Sequence, residues 1–436
     1  MTIQEMNRLG WQDSLNTPVV RNDGALPTAR TEVLHYPTTT FERLLLLVII
    51  VLIPLEDTIP AVGGFSLLFM AFALVAAYIV IHRSRALARV WLHPVLLAGY
   101  VLIFVGFLSE FFHPFSNYRS LMSLGLMFVG AIFIAALCRD RAALRFGMYA
   151  YIIASAWLSV LLFMSSYGAL NRATAANFKE ASRLRSKVAK DIPVGGDLNT
   201  MAFLAVQGGT VALALTLTSR SPLRRTVYAG SALLCLVAAF LPMSRGGAVI
   251  AAVSTAAVLS AYRIKRVQAA AIGVMLGVGV LMIVPSAVFS RMQGMTSEMQ
   301  GRKEIYDAAW NSIPKVALLG IGAGNYWEEW ALNNGFSVRG SVLGAHNTYF
   351  QIIIFWGLPA LISLLAMIWL TYRCFPKRCD LDPLALCLPG IGISLFLVTF
   401  FTHTFYDKWY AVGFGLLVGT RLWIWPDGIV PPMRQE

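Results

Sequence analysis

Residues 119–137 read RSLMSLGLMFVGAIFIAAL, and residues 138–145 continue CRDRAALR. After Arg119 the first stretch carries no charge, and it approaches the roughly 20 apolar residues that an α-helix needs to cross the hydrocarbon core of a bilayer. The second stretch sets Arg139, Arg141 and Arg145 directly behind it. An apolar run closed by clustered arginines is the pattern of a membrane span reaching a cytoplasmic loop, where basic residues are retained. Backbone amides find no partners in hydrocarbon, so such a run folds as a helix.

The same pattern repeats along the chain. Apolar runs begin near residues 43, 62, 90, 119, 146, 198, 226, 245, 267, 347, 384 and 409, which predicts an all-α polytopic membrane protein of about twelve transmembrane helices. The run Leu44 to Leu55 is short and breaks at Pro54, and Met243 to Gly247 reads as a tight hairpin between two spans. Alternate short loops carry three basic residues each: Arg83/Arg85/Arg89, Arg139/Arg141/Arg145, Arg220/Arg224/Arg225, Arg263/Lys265/Arg266 and Arg373/Lys377/Arg378. The positive-inside rule makes these loops cytoplasmic and puts both termini on the same side. Residues 1–40 read as a cytoplasmic tail without the apolar core of a signal peptide, residues 41–425 as the transmembrane domain, and residues 426–436 as a second short tail.

Composition agrees. The 436 residues are 57% hydrophobic and 13% charged, with a mean hydropathy of +0.66, against about 45–50% apolar and 25% charged in soluble domains. The net charge of +13 comes from short basic clusters between apolar runs, where it sets topology, so no nucleic-acid partner is implied. The five cysteines, Cys138, Cys235, Cys374, Cys379 and Cys387, fall in spans or in loops placed inside the cell, which argues against a disulfide framework. Cys374 and Cys379 with His403 make a poor zinc site.

Two loops on the outer side are long. The loop 167–197 holds Arg172, Lys179, Arg183, Arg185, Lys187 and Lys190 against Glu180, Asp191 and Asp197, a basic excess contrary to the positive-inside trend that calls for an anionic partner. The loop 289–345 contains a helical pattern from Arg302 to Ile313 and a turn punctuated by Gly320, Gly322 and Gly324. Structured loops of this length carry function more often than connection alone.

The candidate chemistry lies in and beside these loops. Gly344-Ala345-His346-Asn347-Thr348-Tyr349-Phe350 opens the tenth span where the second loop returns to the membrane. With an unperturbed pKa of about 6.5, a neutral His346 can take a proton from a sugar hydroxyl; the alternative is an interfacial histidine that caps the helix. Arg302 is expected to start the amphipathic helix Arg302 to Trp310, where free N–H groups and the helix dipole favour phosphate and the guanidinium adds a bidentate grip. A solvated helix face is the plainer reading there, and lipid-headgroup attraction is the plainer reading of Arg183 and Arg185.

Weaker features complete the survey. Glu56-Asp57 in the first outer loop reads as a satisfied interfacial pair, and Asp380-Leu381-Asp382 as charge balance beside Arg373, Lys377 and Arg378. His403 to Trp409 forms the last outer turn, in which Asp407 is a candidate site residue. Nucleotide-binding, dinucleotide-binding, zinc-protease and serine-hydrolase motifs are missing from the sequence. No metal and no cofactor is expected.

At these residues the chain resembles the O-antigen ligase and O-antigen polymerase family. The resemblance is carried by Arg183/Arg185 through Gly195-Gly196-Asp197-Leu198-Asn199, by the turn Ser244-Arg245-Gly246-Gly247, by the segment from Gly301-Arg302 through Asn325, and by His346-Asn347 followed by Gly357. It spans about residues 180–410. The chain departs from the family in having Ala360 where Gly, Thr or Tyr is usual, and in offering several basic residues for the first arginine, of which Arg185 is favoured over Arg183.

The resemblance implies a fold like that of the GT-C polyprenyl-dependent glycosyltransferases and an active site on the periplasmic face of the bacterial inner membrane. It implies inverting transfer of a glycan from undecaprenyl pyrophosphate to an acceptor hydroxyl, with His346, Arg302 and Arg185 catalytic and Arg183, Asn347, Tyr306, Arg245 and Asn199 binding substrate; Asp407 of the last outer turn joins them as a candidate, and the basic loop 167–197 suits a phosphorylated lipid A-core acceptor. A polymerase or a protein O-oligosaccharyltransferase would share these motifs. A lipid-glycan transporter or flippase, the rival from another class, would need polar residues or broken helices in matched halves near the midplane.

Overall fold

In the computed structural model the chain divides into two units, Met1–Pro37 and Thr38–Glu436. The structure describes residues 37–55, 66–113, 118–170, 198–242, 244–262, 268, 272, 295–323, 326–335, 337–338, 341–342, 347–402, 407 and 409–430.

The second unit is a helical bundle. In chain order its described helices are α1 (Thr40–Leu55), α2 (Leu67–His82), α3 (Ser84–Trp91), α4 (Pro94–Phe112), α5 (Arg119–Leu137), α6 (Arg141–Leu170), α7 (Leu198–Thr218), α8 (Pro222–Ala238) and α9 (Arg245–Ala261). They are followed by α10 (Met295–Val316), α11 (Tyr326–Asn333), α12 (Thr348–Tyr372), α13 (Pro383–Val398) and α14 (Tyr410–Gly419), the last continuing as a π-turn over Thr420–Ile424. A two-residue ladder, Ser337–Val338 against Ser341–Val342, is the one extended element among the described residues.

Among the described residues five helices are long and apolar enough to cross a membrane: Pro94–Phe112, Ser120–Leu137, Arg141–Met164, Thr200–Thr218 and Thr348–Tyr372. A sixth is possible if α2 and α3, bent by 106° at Arg83, are one broken span. The helices Arg245–Ala261, Pro383–Val398 and Tyr410–Ile424 are apolar but shorter. Large side chains such as Phe104 (60% exposed), Trp157 (51%) and Ile362 (58%) point outward. Water would not tolerate such a surface without association, whereas lipid solvates it. The chain is a multi-pass α-helical membrane protein.

Inside the bundle small residues let backbones approach, as in membrane proteins generally. A Cβ on Gly415 of α14 would stand 2.8 Å from the Ala131 carbonyl oxygen of α5. Polar groups pair between helices in the interior: Tyr151 of α6 donates to the Gln207 side-chain Oε1 of α7, and Ser155 donates to the Leu204 backbone carbonyl at 2.9 Å.

The basic loops gather at one end. Glu42, fully buried at the start of α1, takes Arg83 at 2.5 Å and Arg139 at 2.7 Å. Burial opposes its charge, but the hydrogen bonds from Arg83 and Thr39 and the charges of Arg139 and Arg83 outweigh that and hold the carboxyl below the ordinary range. Arg141 pairs with Asp382, whose other oxygen caps α13 through Leu384 N–H at 2.8 Å; Asp380 lies 3.6 Å from Arg378. His93 caps α4 by accepting from Val95 N–H at 3.3 Å. Burial and the nearby Arg421 push its imidazole down to about 4, which keeps it a neutral acceptor. The Tyr262 hydroxyl donates to the Leu217 carbonyl at 3.0 Å, bringing the C-termini of α7 and α9 together.

Candidate functional site

The opposite end of the bundle collects helix N-termini. Asn347 caps α12: its backbone is extended (φ −152°, ψ 122°) and its Oδ1 accepts from Tyr349 N–H at 2.9 Å and Phe350 N–H at 3.2 Å. The Thr348 N–H donates to the Thr399 carbonyl at 2.8 Å and its hydroxyl to the Thr402 carbonyl at 3.0 Å, which ties the head of α12 to the turn between α13 and α14. Ser244 caps α9 by accepting from Gly247 N–H at 3.0 Å. A Cβ on Gly246 would meet the Phe401 ring at 2.7 Å, and one on Gly247 the Ala202 side chain of α7 at 2.6 Å. The rings of Phe203 of α7 and Tyr410 of α14 lie 5.7 Å apart. The N-termini of α7, α9, α12 and α14 therefore share one end, and each contributes a partial positive charge there.

Across the head of α12 runs the amphipathic α10. It buries Ile305, Ala309 and Val316 and packs the Tyr306 ring against Phe350, centroids 5.5 Å apart and planes tilted by 43°, while Lys303, Glu304 and Trp310 face outward. The helix begins at Met295 rather than at Arg302, so Arg302 sits two turns inside it and the first-turn N–H groups are not beside its backbone. Gly301, with a propensity cost of about 1 kcal/mol, does not interrupt a segment whose neighbours are helix formers and whose buried residues hold it to α12.

The turn after α10 completes the site. Gly320 and Gly322 have φ of 73° and 75°, a region open to glycine. They meet α12 at a break: Gly357 has φ 80° and ψ −176°, and Pro359 follows. Leu358 N–H turns away from its helix to donate to the Ala317 carbonyl at 2.6 Å, and Pro359 has no N–H. The carbonyls of Ile354 and Phe355 are thereby released, and they accept from Ile321 N–H and Gly322 N–H, both at 2.9 Å. Ser109 Oγ of α4 adds a hydrogen bond to the Phe355 carbonyl at 2.9 Å. Beside it Glu110, 1% exposed, accepts from Ala323 N–H at 2.6 Å and Trp356 Nε1–H at 3.0 Å.

Of the residues read from the sequence, Asn347, Tyr306, Arg245 and Asp407 are described. Asn347 is the cap of α12, so the capping role weighed for His346 belongs to the next residue. Tyr306 packs against Phe350. Arg245 is the first residue of α9, half-buried beside the Phe401 turn, and Asp407 receives the Tyr410 N–H on its backbone carbonyl at 3.2 Å. Arg302 and Asn199 are placed by backbone alone, on α10 and in the first turn of α7. His346, Arg183 and Arg185, with Glu56-Asp57, lie outside the described residues. Glu110 escaped the sequence reading; the signal was a lone carboxylate within Leu108 to Phe112, at the end of an apolar run.

The bundle is that of a multi-pass membrane protein, with five to six helices among the described residues that meet the length criterion, and the helix N-termini at this end favour anions. Residues 230–365, which run from α8 to α12, match the family model described as O-antigen ligase. No curated protein matches the chain.

Proposed function

We propose that this protein transfers a glycan from undecaprenyl pyrophosphate to a lipid A-core acceptor at the periplasmic face of the inner membrane, through about twelve spans in a GT-C-like arrangement. The observation that carries the reading is that four helix N-termini share one end of the bundle, with α10 lying across the head of α12, in a chain whose residues 230–365 match the O-antigen ligase model. A pyrophosphate leaving group needs positive charge where its own negative charge develops.

In this reading Arg302, Arg185 and Arg183 hold the pyrophosphate, with the dipoles of α7, α9, α12 and α14 behind them. The acceptor hydroxyl attacks the anomeric carbon, its oxygen forms the new glycosidic bond, and the bond to the pyrophosphate oxygen breaks with inversion. His346 takes the hydroxyl proton, while Tyr306, Arg245, Asn199, Asn347 and Asp407 line the donor and acceptor. The Oδ1 of Asn347 is engaged by the cap, so its amide N–H groups are what it offers.

The test uses purified protein in proteoliposomes with undecaprenyl-pyrophosphate glycan and lipid A-core, in EDTA. A covalent glycan on the core supports the proposal. Extension of the lipid-linked glycan alone makes it a polymerase, translocation without covalent product makes it a flippase, and activity restored only by Mg²⁺ or Mn²⁺ overturns the metal-free mechanism.

A further inference from the structure

We propose that Glu110 is a positioning residue of this transfer site: it holds the Ile321–Ala323 turn on the broken backbone of α12 and so fixes how α10, which carries Arg302, lies over the head of α12. The inference rests on the transfer reading above and names a residue outside the matched segment.

A carboxylate in the last turn of an apolar helix is opposed twice, by burial and by the negative end of the helix dipole. An ionisable residue kept in such a place points to function. Glu110 makes two contacts that bear on the site: Oε1 accepts from Ala323 N–H at 2.6 Å and from Trp356 Nε1–H at 3.0 Å. Ala323 belongs to the turn that ends α10, and Trp356 precedes the Gly357 break. One carboxylate oxygen thus bridges the two segments whose junction aims α10.

The neighbours of Glu110 serve the same junction. Ser109 and Gly322 both donate to the Phe355 carbonyl, and His113 Nδ1 bonds the Ser109 carbonyl at 2.6 Å, closing the end of α4. The fit is close, because a Cβ on Gly322 would stand 3.1 Å from Glu110 Oε2 and 3.4 Å from His113 Cβ. What this arrangement requires is an acceptor oxygen at a fixed reach. Side-chain length therefore matters more than charge.

The experiment compares Glu110→Ala, Glu110→Asp and Glu110→Gln in the full chain, by glycan transfer and by amide exchange of Ile321–Ala323. Ala and Asp, which cannot reach, are expected to lower kcat about tenfold or more with donor KM within about twofold, and to speed exchange in the turn. Gln keeps an acceptor oxygen at the same length and is expected to restore both. An active Asp variant with an inactive Gln variant would show a direct acid-base role and overturn the inference. Unchanged exchange in Ala and Asp would overturn it as well. If wild-type protein transfers no glycan, the transfer reading fails, and the exchange arm still decides whether Glu110 holds the turn.

Discussion

Gly357 and Leu318 touch backbone to backbone: a Cβ on Gly357 would lie 2.5 Å from the Leu318 carbonyl oxygen, at a φ of 80°. The reciprocal contact is as tight, with Gly320 set against the Phe355 carbonyl so that a Cβ would come within 2.2 Å. Two segments more than thirty residues apart are joined by backbone hydrogen bonds at a helix break. Glycine is what allows the approach.

Gly357→Ala is therefore expected to destabilise the junction. Forcing a side chain into this conformation costs about 1–3 kcal/mol before the clash is counted. Thermal unfolding in detergent should show a lowered Tm, and glycan transfer should fall with it. A variant with wild-type Tm and activity would mean that the junction is looser than described.

Asn347 has a structural role that can be separated from any role in binding. Asn347→Ala removes the cap of α12 and is expected to cost about 0.5–2 kcal/mol, whereas Asn347→Asp and Asn347→Ser keep an oxygen for the Tyr349 and Phe350 amides. If Asp and Ser restore stability but not transfer, the amide N–H groups contact substrate. Full recovery of both would leave Asn347 as a cap alone.

Glu42 precedes the apolar run Leu44 to Leu55 and is buried between Arg83 and Arg139. Glu42→Ala strands two guanidinium groups and is expected to cost about 3–5 kcal/mol. The folded carboxyl titrates below its ordinary value, so its stabilisation is present above the unfolded value of about 4.3 and is lost as pH falls through the lower folded value. The Tm of the wild type should drop on acidification below that range by more than the Tm of Glu42→Gln does. Equal acid sensitivity would contradict the pairing.

Ser297 lies in the first turn of α10, on the end proposed to be periplasmic. In intact cells Ser297→Cys is expected to react with an impermeant maleimide. Labelling only after permeabilisation would reverse the topology.

Much of the bundle is legible in the sequence because two strong signals coincide there. Apolar runs mark the helices, and arginines such as Arg83, Arg139 and Arg141 do gather at one end, through Glu42 and Asp382. The count of spans is less legible, since α9, α13 and α14 are shorter than a full span. The amphipathic pattern places the start of α10 at Arg302, whereas the helix begins at Met295, and burial of Ile305 and Ala309 against its neighbours holds it through Gly301. The break of α12 depends on contacts more than thirty residues away, between Gly357 and Leu318, which no local pattern encodes. Glu110 was invisible for a related reason: its partners, Ala323 and Trp356, are more than two hundred residues distant.

The central claim is that the end where the helix N-termini meet performs glycan transfer, with His346 as base and Arg302 on the pyrophosphate. It is tested most directly by measuring transfer from undecaprenyl-pyrophosphate glycan to lipid A-core together with donor binding, for His346→Ala, Arg302→Ala and Arg302→Lys. His346→Ala should abolish transfer while donor binding persists, since loss of a base affects the chemical step rather than the ground state. Arg302→Ala should weaken both, and Arg302→Lys should recover little, because an ammonium cannot reproduce the bidentate fork. Near-normal transfer by folded, membrane-inserted His346→Ala would contradict the account.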